Sequence, residues 1–120
     1  MARILAVDDS PSMRQMVSVT LMGAGHSVEQ CGDGCEALTA AQREVFDLVV
    51  TDVNMPNMDG ITLVKELRGL NSYKFVPLLI LTTEATPERK NQGKQAGATG
   101  WLVKPFNPDK LLAVIAKVLS

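Results

Sequence analysis

Five short apolar runs punctuate the chain: Ile4 to Val7, Ser27 to Gln30, Leu48 to Thr51, Val76 to Leu81 and Gly100 to Val103. Segments of helical period lie between them, so strand and helix alternate five times. This alternation is the tightest constraint on the fold. Strands separated by helices pair in parallel through right-handed crossovers, which places helices on both faces of one sheet. Runs such as LVV and LLIL, with no polar residue on either side of the strand, suit a sheet covered on both faces.

The helix boundaries carry their own chemistry. Ser10-Pro11, Thr86-Pro87 and Asn107-Pro108 each set a capping side chain before a proline that tolerates the first helical turn, and Asp59 is placed to cap a helix that Gly60 begins. The first helix carries the stripe Met13, Met16, Val17, Thr20, Leu21 and stops at Gly23 and Gly25. The second is a short Ala-rich helix over Glu36 to Arg43, and Ile61, Val64 and Leu67 mark the third. The predicted fold is α/β: a three-layer (βα)5 doubly wound domain over 1–120. The strand order 2-1-3-4-5 is adopted from flavodoxin-like sheets of five strands and does not follow from the spacing.

With 120 residues the chain can bury a core without disulfide or metal staples. Twelve basic against thirteen acidic residues give a net charge of -1. That balance argues against nucleic acid or a membrane surface as partner, since phosphate binding needs a basic excess. No apolar stretch approaches the ~20 residues of a membrane span, and MARILAVDD meets acid before a leader forms, so a cytoplasmic protein is expected. Cys31 and Cys35 stand in a C-x3-C spacing, and with His26 they fall short of a four-ligand zinc set or a C-x-x-C redox pair. They read as ordinary thiols in a reducing compartment.

In an open parallel sheet, ligands gather beyond the carboxyl ends of the strands. Four of the five runs end in reactive groups there: Asp8-Asp9, Thr51-Asp52, Thr82-Thr83-Glu84 and Lys104-Pro105. Three carboxylates near one point repel unless a cation intervenes, and a hard divalent ion with oxygen ligands, Mg2+ rather than zinc, suits them. Asp52 can then act as a nucleophile forming an acyl phosphate. The Lys104 ammonium would neutralise phosphoryl oxygens, and the Thr82 hydroxyl would donate to the product. Phe46 and Asp47 read as a lead-in to the third strand.

The segments VDDSPSMR, TDVNMPNMDG, ILTTEA and GATGWLVKPF together resemble the response-regulator receiver domain over the whole chain, with NMPNMDG and VKPF similar to single-domain chemotaxis regulators of the CheY type. The resemblance implies that Asp52 is the phosphoacceptor. It implies that Asp8 and Asp9 bind Mg2+ with the Asp52 carboxylate and the main-chain carbonyl of Asn54. Lys104 would contact the phosphoryl group across a cis bond to Pro105. Thr82 and Trp101 would be the switch pair, and Asn54 and Glu84 would tune phosphate lifetime.

Two positions depart from the family's usual residues. Thr83 stands where Ala or Gly is common and narrows the approach to Asp52. Trp101 is bulkier than the usual Tyr or Phe, and its indole N–H needs a partner when buried. The helix after Thr86 is polar, PERKNQGKQ, with Gly93 in its middle, and is expected to be weakly held. Its Arg89, Lys90 and Lys94 read as a solvated face.

The implied function is a monomeric phosphorylation switch. A histidine kinase donates to Asp52, and the protein then binds an output partner such as the flagellar motor switch, with a phosphatase as a further partner. A phosphorelay shuttle or phosphate sink would use the same residues. Turnover is confined to self-phosphorylation and self-dephosphorylation. A Mg2+-dependent phosphohydrolase with an aspartyl nucleophile would want a second Asp two residues on, where Asn54 cannot shuttle a proton. A flavin carrier would need a phosphate-cradling loop where DDSPS sets two negative charges.

Overall fold

The computed structural model describes residues 1–120. Along the chain run β1 (Arg3–Val7), α1 (Pro11–Gly23), β2 (Ser27–Cys31), α2 (Gly34–Arg43), β3 (Leu48–Thr51), α3 (Gly60–Arg68), a short 3-10 turn (Asn71–Tyr73), β4 (Leu78–Thr82), α4 (Pro87–Ala96), β5 (Gly100–Val103) and α5 (Pro108–Leu119). The sheet is parallel throughout, in the order β2-β1-β3-β4-β5. This is the expected flavodoxin-like arrangement.

The period of two along each strand divides the core between the faces. Leu5 and Val7, Val49, and Leu78 and Ile80 pack with Ala37, Ala40 and Ala41 of α2 and Leu63, Val64 and Leu67 of α3. Their strand neighbours Ile4 and Ala6, Leu48 and Val50, and Leu79 and Leu81 pack with Val17 and Leu21 of α1 and Leu111 and Ile115 of α5. Each fully buried aliphatic side chain contributes about 2 kcal/mol of transfer free energy.

The caps fall where the side-chain chemistry puts them: Ser10, Asp59, Thr86 and Asn107 each accept hydrogen bonds from the first turns of α1, α3, α4 and α5. Four elements differ in their bounds, the first of them β1, which starts at Arg3 and not Ile4. The second helix starts at Gly34, not Glu36, because Asp33 caps it by accepting from the Glu36 N–H at 2.8 Å. The second strand runs on to Cys31. β4 starts at Leu78 and runs through Thr82, because Pro77 has no N–H to give to the ladder and the Val76 carbonyl is taken by Arg68 Nη1 at 2.7 Å.

Phe46 and Asp47 do more than lead in. Phe46 is fully buried and its N–H donates to the Tyr73 hydroxyl at 3.1 Å, while Asp47 Oδ2 accepts from the Arg3 N–H at 2.8 Å.

Candidate functional site

The strand ends deliver their polar groups to one edge. Asp8 follows β1 and still donates its N–H to the ladder, at 3.1 Å from the Cys31 carbonyl, which fixes the direction its side chain leaves the sheet. One carboxylate oxygen accepts from the Ser10 N–H at 2.9 Å. Asp52 follows β3 in the same way, its N–H donating to the Val7 carbonyl at 2.9 Å and its Oδ1 accepting from the Val53 N–H at 2.6 Å. Gly60 closes the loop behind it: a Cβ there would fall 1.8 Å from the Asp52 carbonyl oxygen, so only glycine fits.

Lys104 comes in from the end of β5. Its N–H donates to the Thr82 carbonyl at 2.8 Å, and its peptide bond to Pro105 is cis, as expected. The ammonium donates to Asp8 Oδ2 at 2.6 Å and to Asp52 Oδ2 at 3.0 Å, with the lysine side chain 8% exposed. Burial by itself pulls this lysine down, but the two carboxylates outweigh it and hold the ammonium above its ordinary range. Lys104 therefore stays charged. Asp9 lies exposed beside the pair, and carboxylate oxygens of Asp8, Asp9 and Asp52 lie within 4.8 Å of one another.

Lys104 bonds to only two of these three carboxylates, so the cluster carries an anionic excess. An all-oxygen donor set, partly buried and open on the Asp9 side, fits a hard divalent cation such as Mg2+ and not a soft one. One further cation was not anticipated from the sequence: Arg14 Nη1 donates to the Asp8 carbonyl at 2.6 Å. Its signal was faint, a single charged residue in the otherwise uncharged α1.

The remaining predicted residues form a second group. Thr82 is fully buried, and its hydroxyl accepts from the Glu84 N–H at 3.2 Å; it is not bonded to the aspartates. Asn54 is exposed and donates from its side-chain amide to Glu84 Oε1 at 3.2 Å. The Trp101 indole N–H finds its partner in the Glu84 carbonyl at 2.9 Å. Thus Asn54, Thr82 and Trp101 all converge on Glu84, through its carboxylate, N–H and carbonyl respectively. Thr83 is exposed.

The Trp101 ring lies on α4. A Cβ at Gly93 would meet its Cζ3 at 2.7 Å, so the mid-helix glycine is a seat for the indole as well as a weak point in the helix. Gly93 is the one buried residue of α4; of the expected solvated face Lys90 and Lys94 are exposed and Arg89 is half-buried. No helix of the chain is long and apolar enough to cross a membrane.

Comparison with known proteins agrees with this fold. The family described as "Response regulator receiver domain" matches residues 4–116. The chain is 39% identical over 119 residues to chemotaxis protein CheY-3 of Vibrio cholerae serotype O1, covering 98% of this chain and 92% of that protein. The solved structure of V. cholerae chemotaxis protein CheY4 is 58% identical with a TM-score of 0.94, covering 98% of both chains. A gliding motility regulatory protein of Myxococcus xanthus is 42% identical over 102 residues; the match covers 85% of this chain and only 13% of that longer protein's length.

Proposed function

The chain belongs to the response regulator receiver domain family, and from that premise we propose that it is a phosphorylation-activated switch of a chemotaxis-type two-component system. Asp52 accepts a phosphoryl group from a histidine kinase. The observation that carries this reading is the Lys104 ammonium, 3.0 Å from Asp52 Oδ2 and 2.6 Å from Asp8 Oδ2, in one cluster with Asp9.

In the transfer, a carboxylate oxygen of Asp52 bonds to phosphorus as the N–P bond of the donor's phosphohistidine breaks, and the imidazole leaves with the electron pair. The Val53 N–H at 2.6 Å and the Lys104 ammonium hold the carboxylate in place. Lys104 then turns from carboxylate partner to counter-ion of the phosphoryl oxygens. Asp8, Asp9, the Asp52 carboxylate and the Asn54 carbonyl would hold Mg2+, which would supply further positive charge at this site. Asn54 offers an amide and no acid/base group, which restricts turnover to the protein's own phosphate and disfavours a hydrolase acting on external substrates.

The second group reads the result. The Thr82 hydroxyl leaves the Glu84 N–H to donate to the phosphoryl group, the β4–α4 loop rearranges, and Trp101 and α4 follow. An output protein then binds; the flagellar motor switch is the partner we assign, with a phosphatase resetting the state.

Incubation with Mg2+ and acetyl phosphate, followed by mapping of the adduct by mass spectrometry, tests the chemistry. A phosphoryl group is expected on Asp52, absent in Asp52→Asn and in EDTA; an adduct that persists in Asp52→Asn contradicts it. Binding of the phosphorylated form to a motor-switch peptide supports the motor assignment, and no binding points to a relay shuttle or phosphate sink.

A further inference from the structure

The loop from Asp52 to Asp59 carries the phosphoacceptor and Asn54, yet it has no regular structure of its own. Its two ends are tied together, the Gly60 N–H donating to the Val53 carbonyl at 2.9 Å. Its far end folds back through Asn57, whose φ of 69° is the left-handed conformation that Asn tolerates better than other residues with a side chain. The loop is also bonded to an anchor outside itself.

That anchor is the start of α2. Asn57 Nδ2 donates to Asp33 Oδ2 at 2.8 Å, while the other oxygen of the same carboxylate caps α2 at the Glu36 N–H, also at 2.8 Å. Asp33 is 9% exposed while Asn57 is exposed, so this charge-assisted bond is partly shielded from solvent. Beside it the Gly34 N–H donates to the Met58 carbonyl at 3.2 Å, and the approach is so close that a Cβ on Gly34 would fall 2.5 Å from that oxygen. One buried carboxylate thus serves two elements that are far apart in sequence.

We propose that Asp33 and Asn57 act as a positioning couple for the phosphorylation site, fixing the loop so that the Asn54 carbonyl and the Asp52 carboxylate present their oxygens together to Mg2+. The inference rests on the metal reading given above and extends it to residues that touch neither metal nor phosphate. Partners that orient metal ligands from behind govern affinity because a ligand displaced slightly no longer shares the ion.

The cap and the couple can be separated. Asp33→Ser keeps a good N-cap for α2 but has one oxygen, taken by the cap, and a side chain too short to reach Asn57. Asn57→Gly removes the donor while easing the left-handed backbone. Both variants are expected to unfold thermally near the parent in EDTA, and calorimetric titration with MgCl2 is expected to show each binding Mg2+ about tenfold more weakly. The double variant is expected to bind no more weakly than either single one, because one bond is lost in all three.

Parental Mg2+ affinity in both variants, or losses that multiply in the double variant, overturns the couple and leaves the metal reading intact. A parent that shows no Mg2+ binding overturns the metal reading and the couple with it.

Discussion

Asp8, Asp52 and Lys104 hold one another at 2.6 and 3.0 Å from the ends of three strands, and the loop behind them closes so tightly that a methyl group has no room at Gly60. A few residues away, Asn54, Thr82 and Trp101 each make a single bond to Glu84, and the helix that follows buries one residue, a glycine. The first group is locked by its own ion pairs at the strand ends; in the second, the strand residues Thr82 and Trp101 meet only through Glu84 of the β4–α4 loop, beside a helix whose contact with the indole ring is thin. Group transfer needs donors already in place before the reaction. A readout needs an element whose two arrangements differ by little, so that one phosphoryl group can tip it. In the proposed switch, the same edge of the sheet would meet both demands by dividing them between its two sides.

Two glycines offer the sharpest way to break this contrast. At Gly60 the obstacle to a Cβ is backbone, the Asp52 carbonyl, so Gly60→Ala is expected to cost about 4 kcal/mol or more in urea unfolding. Next in size is Lys104→Met, which leaves two carboxylates facing each other without their cation; in EDTA it is expected to lose about 3 kcal/mol by the same measurement.

On the other side, Gly93→Ala gains about 1 kcal/mol of helix propensity and pushes on side chains rather than backbone, the edge of the Trp101 ring at 2.7 Å and Ile80 Cδ1 at 3.2 Å. Its net change in stability is expected to stay within about 1 kcal/mol, with a shifted Trp101 emission. If Gly93→Ala proved as costly as Gly60→Ala, the distinction between a fixed half and a yielding half would fail.

A smaller effect concerns pH. The Glu36 N–H first, then the Asn57 amide, hold Asp33 below its ordinary value of 3.8. A carboxyl lowered on folding stabilises the protein fully above its unfolded value and loses that contribution as pH falls through the lower folded one. The parent is therefore expected to lose stability below pH 3.8 more steeply than Asp33→Asn, which caps without charge, in thermal unfolding followed by circular dichroism.

Much of this was legible in the chain itself. Ser10, Asp59, Thr86 and Asn107 announce their helices because a cap is a local bond, formed within three residues. Asp8, Asp52 and Lys104 could be grouped because parallel topology brings all strand ends to one edge. Asp33 escaped notice as a cap because its glycine neighbours in CGDGC blur the helix start, and its bond to Asn57 spans 24 residues.

Other roles are equally long-range. Arg68 reaches the carbonyls of Tyr73, Val76 and Gly97, and the Tyr73 hydroxyl ties the Ala41 and Glu44 carbonyls to the Phe46 N–H. Nothing in the local pattern of either residue encodes those partners. The convergence on Glu84 was hidden for the same reason: two of its three bonds run through the main chain, where side-chain identity carries no signal.

Trp101 is the only tryptophan, so one optical signal reports on the yielding half alone. The most direct test is its fluorescence on addition of beryllofluoride with Mg2+, a phosphoryl mimic expected to bind at the fixed half. The emission is expected to change in the parent and to stay unchanged in Asp52→Asn. A parent spectrum that does not move, or a change that survives in Asp52→Asn, would contradict the division of labour between the two sides.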